Sequence, residues 1–475
     1  MLKRRKFITQ AAMASAAFAF SKQAGAKFYG NGFPVVRIAE AQRKFKSASV
    51  EKLIAEVKQK TGNKELAWMF ENCFPNTLDT TVDFEMTDGR PDTYVITGDI
   101  DAMWLRDSTA QVWPYIPLCK DDKDLQQLIK GVINRQVKCI LKDPYANAFY
   151  KDENKVSEWK ATDITDMKPG VHERKWEIDS LCYPIRLSYG YWQETGDTSA
   201  FDELWVAAIR LIVKTFKEQQ RFDGPGPYTF QRNTAWATDG VPLSGYGYPV
   251  KPNGLICSMF RPSDDATIFP YLIPSNLFAS RVLTYIPEIA GGKLFDPQFV
   301  KEVTGLSNQV RAAVYDNAVI EDKSHGKMFA FEVNGYGSHN LMDDANVPSL
   351  LSLPYIGVVK PDDPVYLNTR KYVLSENNPF FYKGKAGEGI GGPHTGINTI
   401  WPMSIVLRGL TSTDDKEIKH CLDVLQNTHA NTGFMHESFD KDDPAKFTRK
   451  WFAWANTIFG EFIWKTYREK PYLLS

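Results

Sequence analysis

The sequence predicts a mainly α-helical single domain, built as an array of helical hairpins closed into a toroid. Three observations carry this reading. Apolar residues recur with helical spacing in about a dozen segments, strand-like alternation is confined to two short pieces, and no repeat, low-complexity tract or linker divides the chain. A chain of 475 residues also has the length to bury a substantial core.

Taken in order, the first element is not part of that domain. Lys3-Arg4-Arg5-Lys6-Phe7-Ile8 leads into a weakly apolar, Ala-rich run that reaches the small-residue exit Ala24-Gly25-Ala26. This looks like a twin-arginine export signal over residues 1–26, with residues 27–475 as the folded domain and the periplasm as its destination. The run falls short of the roughly 20 residues that a membrane span needs, and no later segment supplies one.

Helical stripes then follow. Val50, Leu53, Ile54 and Val57 obey the i, i+3, i+4, i+7 rule behind Ser49 as cap. Equivalent faces occur at Leu125–Ile133, Phe201–Ile212 and Phe299–Val310, and further helices are expected near 65–73, 105–118, 178–195, 275–286, 340–352, 397–410, 415–428 and 450–466. "VDFEMTDGRPDTYVIT" predicts a hairpin about Asp88-Gly89, and "KMFAFEVNGYGSH" a second one. Residues 221–262 are too rich in Gly and Pro for helix, and a loop of that length in a compact domain is functional or disordered.

Charge excludes some partners. With 57 basic and 57 acidic residues the chain has no net field to attract nucleic acid or an anionic membrane, so an uncharged ligand fits better. The six cysteines are scattered, and no pairing follows from their spacing.

The acids that stand among aromatics are more informative. They lie in "TGDIDAMWLRDSTAQVWPY" (Asp99, Asp101, Trp104, Arg106, Asp107), "KWEIDSLCYPIRL" (Glu177, Asp179), "FRPSDDATIFPYLIPSN" (Arg261, Asp264, Asp265) and "TGFMHESFDKDDPAKFTRKWFAWANTIFGE" (His436, Glu437, Asp440, Trp451). Carboxylates in such neighbourhoods must be satisfied by arginines, helix N-termini or ligand hydroxyls. A sugar matches all of these features, because paired hydroxyls bind Asp, Glu and Arg while the C–H faces lie on aromatic rings. Hydrolysing one takes two acids, one to protonate the leaving oxygen and one to activate water or attack carbon. "HES" lacks the second histidine of a zinc helix, and no paired C-x-x-C, G-x-S-x-G or Walker pattern is present.

Together "GDIDAMWLRDS", "KWEIDSLCYPI", "FRPSDDA" with "LIPSNLFA", "DDANVPSLLSLPY", "GPHTG" and "GFMHESFDKDDP" resemble glycoside hydrolase family 125, the exo-acting α-1,6-mannosidases, over roughly Val50 to Ile463. The resemblance implies an (α/α)6 barrel as the catalytic domain. It implies removal of terminal non-reducing α-1,6-linked mannose from mannan or N-glycan fragments, inversion, and neither metal nor cofactor. It places the general acid in "RPSDDA", at Asp264 in preference to Asp265, and the general base at Glu437.

Substrate-binding roles follow for Asp101, Arg106 and Asp107 as the floor of the sugar subsite, and for Trp104, which shapes it. A buried ion-pair network pinning a helix start is an equally physical role for the charged three. Glu177 and Asp179 either bind sugar or cap a helix. Of the Asp264/Asp265 pair, the member that is not the acid binds a hydroxyl or Arg261. His394 and His436 are sugar or water contacts, or satisfied structural histidines. The rival functions are a non-catalytic glycan-binding protein and an α-barrel glycosidase acting on α-glucosides.

Overall fold

The computed structural model describes residues 32–475, so the export-signal reading of residues 1–26 lies outside the described residues. The fold is an (α/α)6 barrel with short strand pairs in its loops. The helices of eight or more residues are α1 (Ala48–Lys60), α2 (Lys64–Cys73), α3 (Leu105–Val112), α4 (Lys123–Lys142), α5 (Ile178–Thr195), α6 (Glu203–Gln219), α7 (Ile273–Tyr285), α8 (Pro297–Ala318), α9 (Pro364–Val373), α10 (Pro402–Leu410), α11 (Asp415–Thr428) and α12 (Ala453–Glu469).

Caps and prolines set where these helices begin. Ser47, not Ser49, caps α1, its side chain accepting from Val50 N at 3.2 Å. Asp122 caps α4 through Leu125 N and also takes the Ser47 hydroxyl at 2.6 Å, so one carboxylate ties two helix starts together. The segment expected as one helix over 105–118 is α only to Val112, because Pro114 and Pro117 convert the remainder to a 3-10 turn.

The inner ring runs α3, α5, α7 and then α10, α12, with α12 touching α3 again to close it. The place between α7 and α10 was expected to hold a helix over 340–352 and instead holds turns through residues 351–357. Pro348 and Pro354 interrupt the apolar pattern, and the Asp343 carboxylate accepts Leu350 N and Leu351 N, donors that a helix would use. Tyr183 on α5 donates to Val347 O at 2.8 Å and Tyr355 donates to Glu461 on α12 at 2.8 Å, which fixes this segment within the ring. The outer layer contains α9, which the sequence reading missed.

The first expected hairpin forms, Val82–Thr87 pairing with Arg90–Val95 through a turn with positive φ at Asp88 and Gly89. The second is divided. Gly326–Phe329 pairs backward with Val319–Asp322, and Glu332–Val333 sits between His339–Asn340 and Tyr271–Leu272. The loop over 221–262 holds only a short strand and one 3-10 turn.

Packing within the ring is tight enough to demand glycine. A Cβ on Gly460 of α12 would lie 2.7 Å from Phe74 Cδ2 and 2.8 Å from Phe74 Cα, which is main chain. Gly460→Ala is therefore expected to destabilise the protein by about 1–3 kcal/mol, read as a lower midpoint of urea denaturation.

Candidate active site

The charged motifs meet because the inner helices begin at one end of the barrel. Arg106 lies in the first turn of α3, Glu177 and Asp179 flank the start of α5, Asp264 lies in the loop that leads into α7, and Glu437 and Arg449 lie in the segment before α12. Helix N-termini favour carboxylates, which is one reason acids collect there.

Arg106 organises one side. Buried at 3 % side-chain exposure, it reaches Glu177 at 2.5 Å and Asp179 at 3.2 Å through Nη1, Asp264 at 3.3 Å through Nη2, and Asp107 at 3.5 Å through Nε. Asn147 Nδ2 adds contacts to Glu173 at 3.2 Å and to Glu177 and Asp264 at 3.4 Å. Lys175 Nζ donates to the main-chain oxygen of Asp264 at 2.8 Å and to Asp239 at 2.9 Å. Asp264 itself has φ of 67°, a left-handed backbone that is costly for a non-glycine residue and that a functional position can retain.

Burial and charge drive two of the carboxyls around Arg106 in opposite directions. Burial pushes Glu177 well above the usual carboxylate range, and the charges of Asp264 and Asp179 add to this against the pull of Arg106. Burial also works against ionising Asp264, but the charges of Arg106 and Lys175 outweigh it and hold that carboxyl at about 2. Burial pushes Asp107 up to about 6 against the pull of Arg106.

Arg449 organises the other side. Its guanidinium contacts Glu437 at 3.5 Å through Nη1 and Asp99 at 2.7 Å through Nε, and its charge also acts on Asp107. Asp107 thereby lies between the two arginine networks. Gly98 enables this closure, because its main chain bridges to Phe452 and a Cβ there would stand 2.3 Å from Trp451 O. His436 stacks on Phe447 with ring centroids 3.7 Å apart and meets the Thr432 hydroxyl at 3.3 Å.

Several sequence expectations change. Asp101 is exposed and outside the Arg106 hydrogen bonds, so the buried floor is Arg106 and Asp107 without it. Glu177 holds the N-cap position of α5 but makes no side-chain cap bond, so its oxygens serve Arg106, Ser180 and Asn147 instead. Arg261 pairs through Nε with Glu332 at 2.7 Å and not with the Asp265 carboxylate, which takes the Ser263 hydroxyl at 3.1 Å. His394 is partly exposed, 3.9 Å from Asp265. Trp104 is buried edge-on to His172.

Some buried polar atoms near these networks lack a hydrogen-bond partner within the protein. They include Trp104 Nε1, Asp179 Oδ1, Arg261 Nη2, Asp344 Oδ2 and Trp451 Nε1. Such orphans are costly, and sugar hydroxyls would satisfy both the donors and the acceptors. Asp344 was missed in the sequence, although its motif was recognised; the 391–396 loop approaches it so closely that a Cβ on Gly392 would stand 3.1 Å from its free oxygen. Asn147, Lys175 and Arg449 were missed as well. The counter-charges here are side-chain cations, and among the described residues no group of three or more His, Cys, Asp or Glu is arranged to hold a metal ion.

Comparison with known proteins follows the same pattern. Residues 63–464 match the family model described as metal-independent α-mannosidase, GH125. The chain is 43% identical over 460 residues to the meiotically up-regulated gene 157 protein of Schizosaccharomyces pombe, covering 93% of this chain and 90% of that one. A Streptococcus pneumoniae metal-independent α-mannosidase, solved as a non-productive substrate complex with α-1,6-mannobiose, superposes with a TM-score of 0.86 at 41% identity, over 90% of this chain and all of that one. A GH78 rhamnosidase of Bacillus sp. GL1, at 11% identity and a TM-score of 0.52 over 86% of this chain and 35% of that one, shares the fold.

Burial is the main cause that holds the His436 imidazole down at about 4, with His429 and Lys450 adding to it. The folded value lies below the unfolded one of about 6.5, so the unfolded chain binds more protons between them and stability is lost as pH falls through that window. His436→Gln is expected to flatten the decline in stability between pH 7 and pH 5, measured by urea denaturation across pH.

Proposed function

Because the chain belongs to the GH125 family of metal-independent α-mannosidases, we propose that it removes terminal α-1,6-linked mannose from mannan or N-glycan fragments with inversion at the anomeric carbon. The observation that carries this reading is the pairing of Asp264, held by Arg106, with Glu437, held by Arg449, around the shared Asp107.

In the reaction Asp264 gives a proton to the glycosidic oxygen as the C1–O bond breaks with its electron pair leaving on that oxygen. A water attacks C1 from the opposite face and yields its proton to Glu437. The unpartnered groups on Trp104, Asp179, Arg261 and Asp344 supply hydroxyl contacts for the terminal mannose. Arg106 and Asp107 form the base of that subsite, with Glu177 beneath Asp264, while Asp265, His394 and His436 lie around its edge. Asp101, being exposed, meets the substrate only at the rim.

The segment 1–26 is read as directing export to the periplasm.

Glu437→Gln is expected to lower release of mannose from α-1,6-mannobiose by at least about 10²–10⁴-fold while binding measured by calorimetry persists. Asp264→Asn should lose far more activity on that disaccharide than on an aryl mannoside with a good leaving group, and Asp265→Asn should not show this selectivity. Replacing Arg4 and Arg5 together by Lys is expected to leave the full-length chain unprocessed in the cytoplasm of a bacterial host, read by fractionation and immunoblot.

A further inference from the structure

The two acids of the site differ in access to solvent. The Asp264 side chain keeps 23 % of its surface exposed against 9 % for Glu437, so the more open side of the site is that of Asp264. A sugar that leaves with the glycosidic oxygen must lie beyond the group that protonates this oxygen, and hence against the loops that surround Asp264.

The loop over 221–262 supplies one of these walls. Its base is anchored, since Gln231–Arg232 pairs with Asp163–Ile164 and the Arg232 guanidinium binds the Asp163 carboxylate at 2.7 and 2.9 Å. Further along, it is tied to the Asp264 loop at two points. Thr238 O receives Ala266 N at 2.7 Å, and Lys175 Nζ holds the Asp239 carboxylate at 2.9 Å together with the main-chain oxygen of Asp264 at 2.8 Å. Trp236 heads the 3-10 turn between these ties, its main-chain oxygen receiving Asp239 N at 3.1 Å.

Trp236 is the one exposed tryptophan among the described residues, at 40 %. Large apolar surface left in water on a loop tied to Asp264 is unfavourable, and a ligand face laid on it would remove that cost. An indole is also the surface that the C–H face of a pyranose fits. A 1,6-bond sets a methylene between the glycosidic oxygen and the leaving ring, so the surface that holds this ring must stand back from Asp264. Trp236, two residues from the Thr238 tie, stands back in this way.

We propose that Trp236 is the platform of a leaving-sugar subsite, taking the C–H face of a pyranose ring on the reducing side of the scissile bond. The substrate class is thereby an oligosaccharide with a sugar ring on its leaving side. This rests on the reading of Asp264 as the acid and adds what holds the group that Asp264 releases.

α-Mannosyl fluoride carries no leaving sugar and so separates this role from the chemistry. For Trp236→Ala, kcat/KM on α-1,6-mannobiose is expected to fall about tenfold, mainly through KM, while kcat/KM on the fluoride stays within about twofold of wild type. Trp236→Phe, which keeps a flat face, should restore most of the loss. Equal loss on both substrates, which marks a structural role, or an unchanged kcat/KM on mannobiose overturns the proposal and leaves Asp264 and Glu437 in their roles. A wild-type protein that releases mannose from neither substrate would refute the underlying reading instead.

Discussion

One buried guanidinium against four carboxylates is the constraint on which this architecture turns. Arg106 reaches the starts of α3 and α5 and the loop before α7 at once, so three successive inner elements converge on a single charge. The barrel's hairpins supply the convergence, and the Arg106 contacts require it. A buried cation that lost these partners, or buried acids that lost this cation, would be left uncompensated, which costs far more than an intact ion pair returns.

The same constraint separates the two chemical roles. On the Arg106 side four carboxylates face one guanidinium, with Asn147 and Lys175 completing the contacts. On the Arg449 side Glu437 shares its arginine with Asp99, an exposed residue on the loop that Gly98 lets approach Trp451. Two carboxylates held by separate arginines suit acid and base catalysis on opposite faces of one sugar. Lys175 contributes from below by holding the main-chain oxygen of Asp264, which keeps that residue in its left-handed conformation.

Much of the ring was legible because its helices are amphipathic and end at recognisable caps. The stripe at Leu125–Ile133 lies within α4, and that at Phe201–Ile212 lies within α6 apart from Phe201, which precedes the Asp202 cap. The failure at 340–352 has a specific cause. Val347, Leu350 and Leu351 are apolar because they are buried inside the ring, not because they share a helix face, and Pro348 with the Asp343 side chain directs the chain into turns. Helix α9 escaped notice because its buried positions, Tyr366, Thr369, Tyr372 and Val373, mix polar atoms into the stripe. In the site, clustering of acids with aromatics pointed to Arg106, Glu177, Asp179, Asp264 and Glu437, which the fold does bring into two linked networks. It gave no means of separating Asp343, whose oxygens are spent on main-chain donors, from Asp344, which keeps one free. Asn147 and Lys175 carry no local signature, since only their distant partners make them part of the site. Asp101 has the same neighbours in sequence as the buried acids but is itself exposed, which the sequence did not signal.

The central claim is that an Asp264-centred acid and the Glu437 base act on opposite faces of a terminal mannose. Proton NMR of the purified protein with α-1,6-mannobiose and a chelator, following the anomeric signal of mannose before it mutarotates, tests this most directly. The account predicts β-mannose as the first product, whereas α-mannose appearing first, or no release at all, would contradict it.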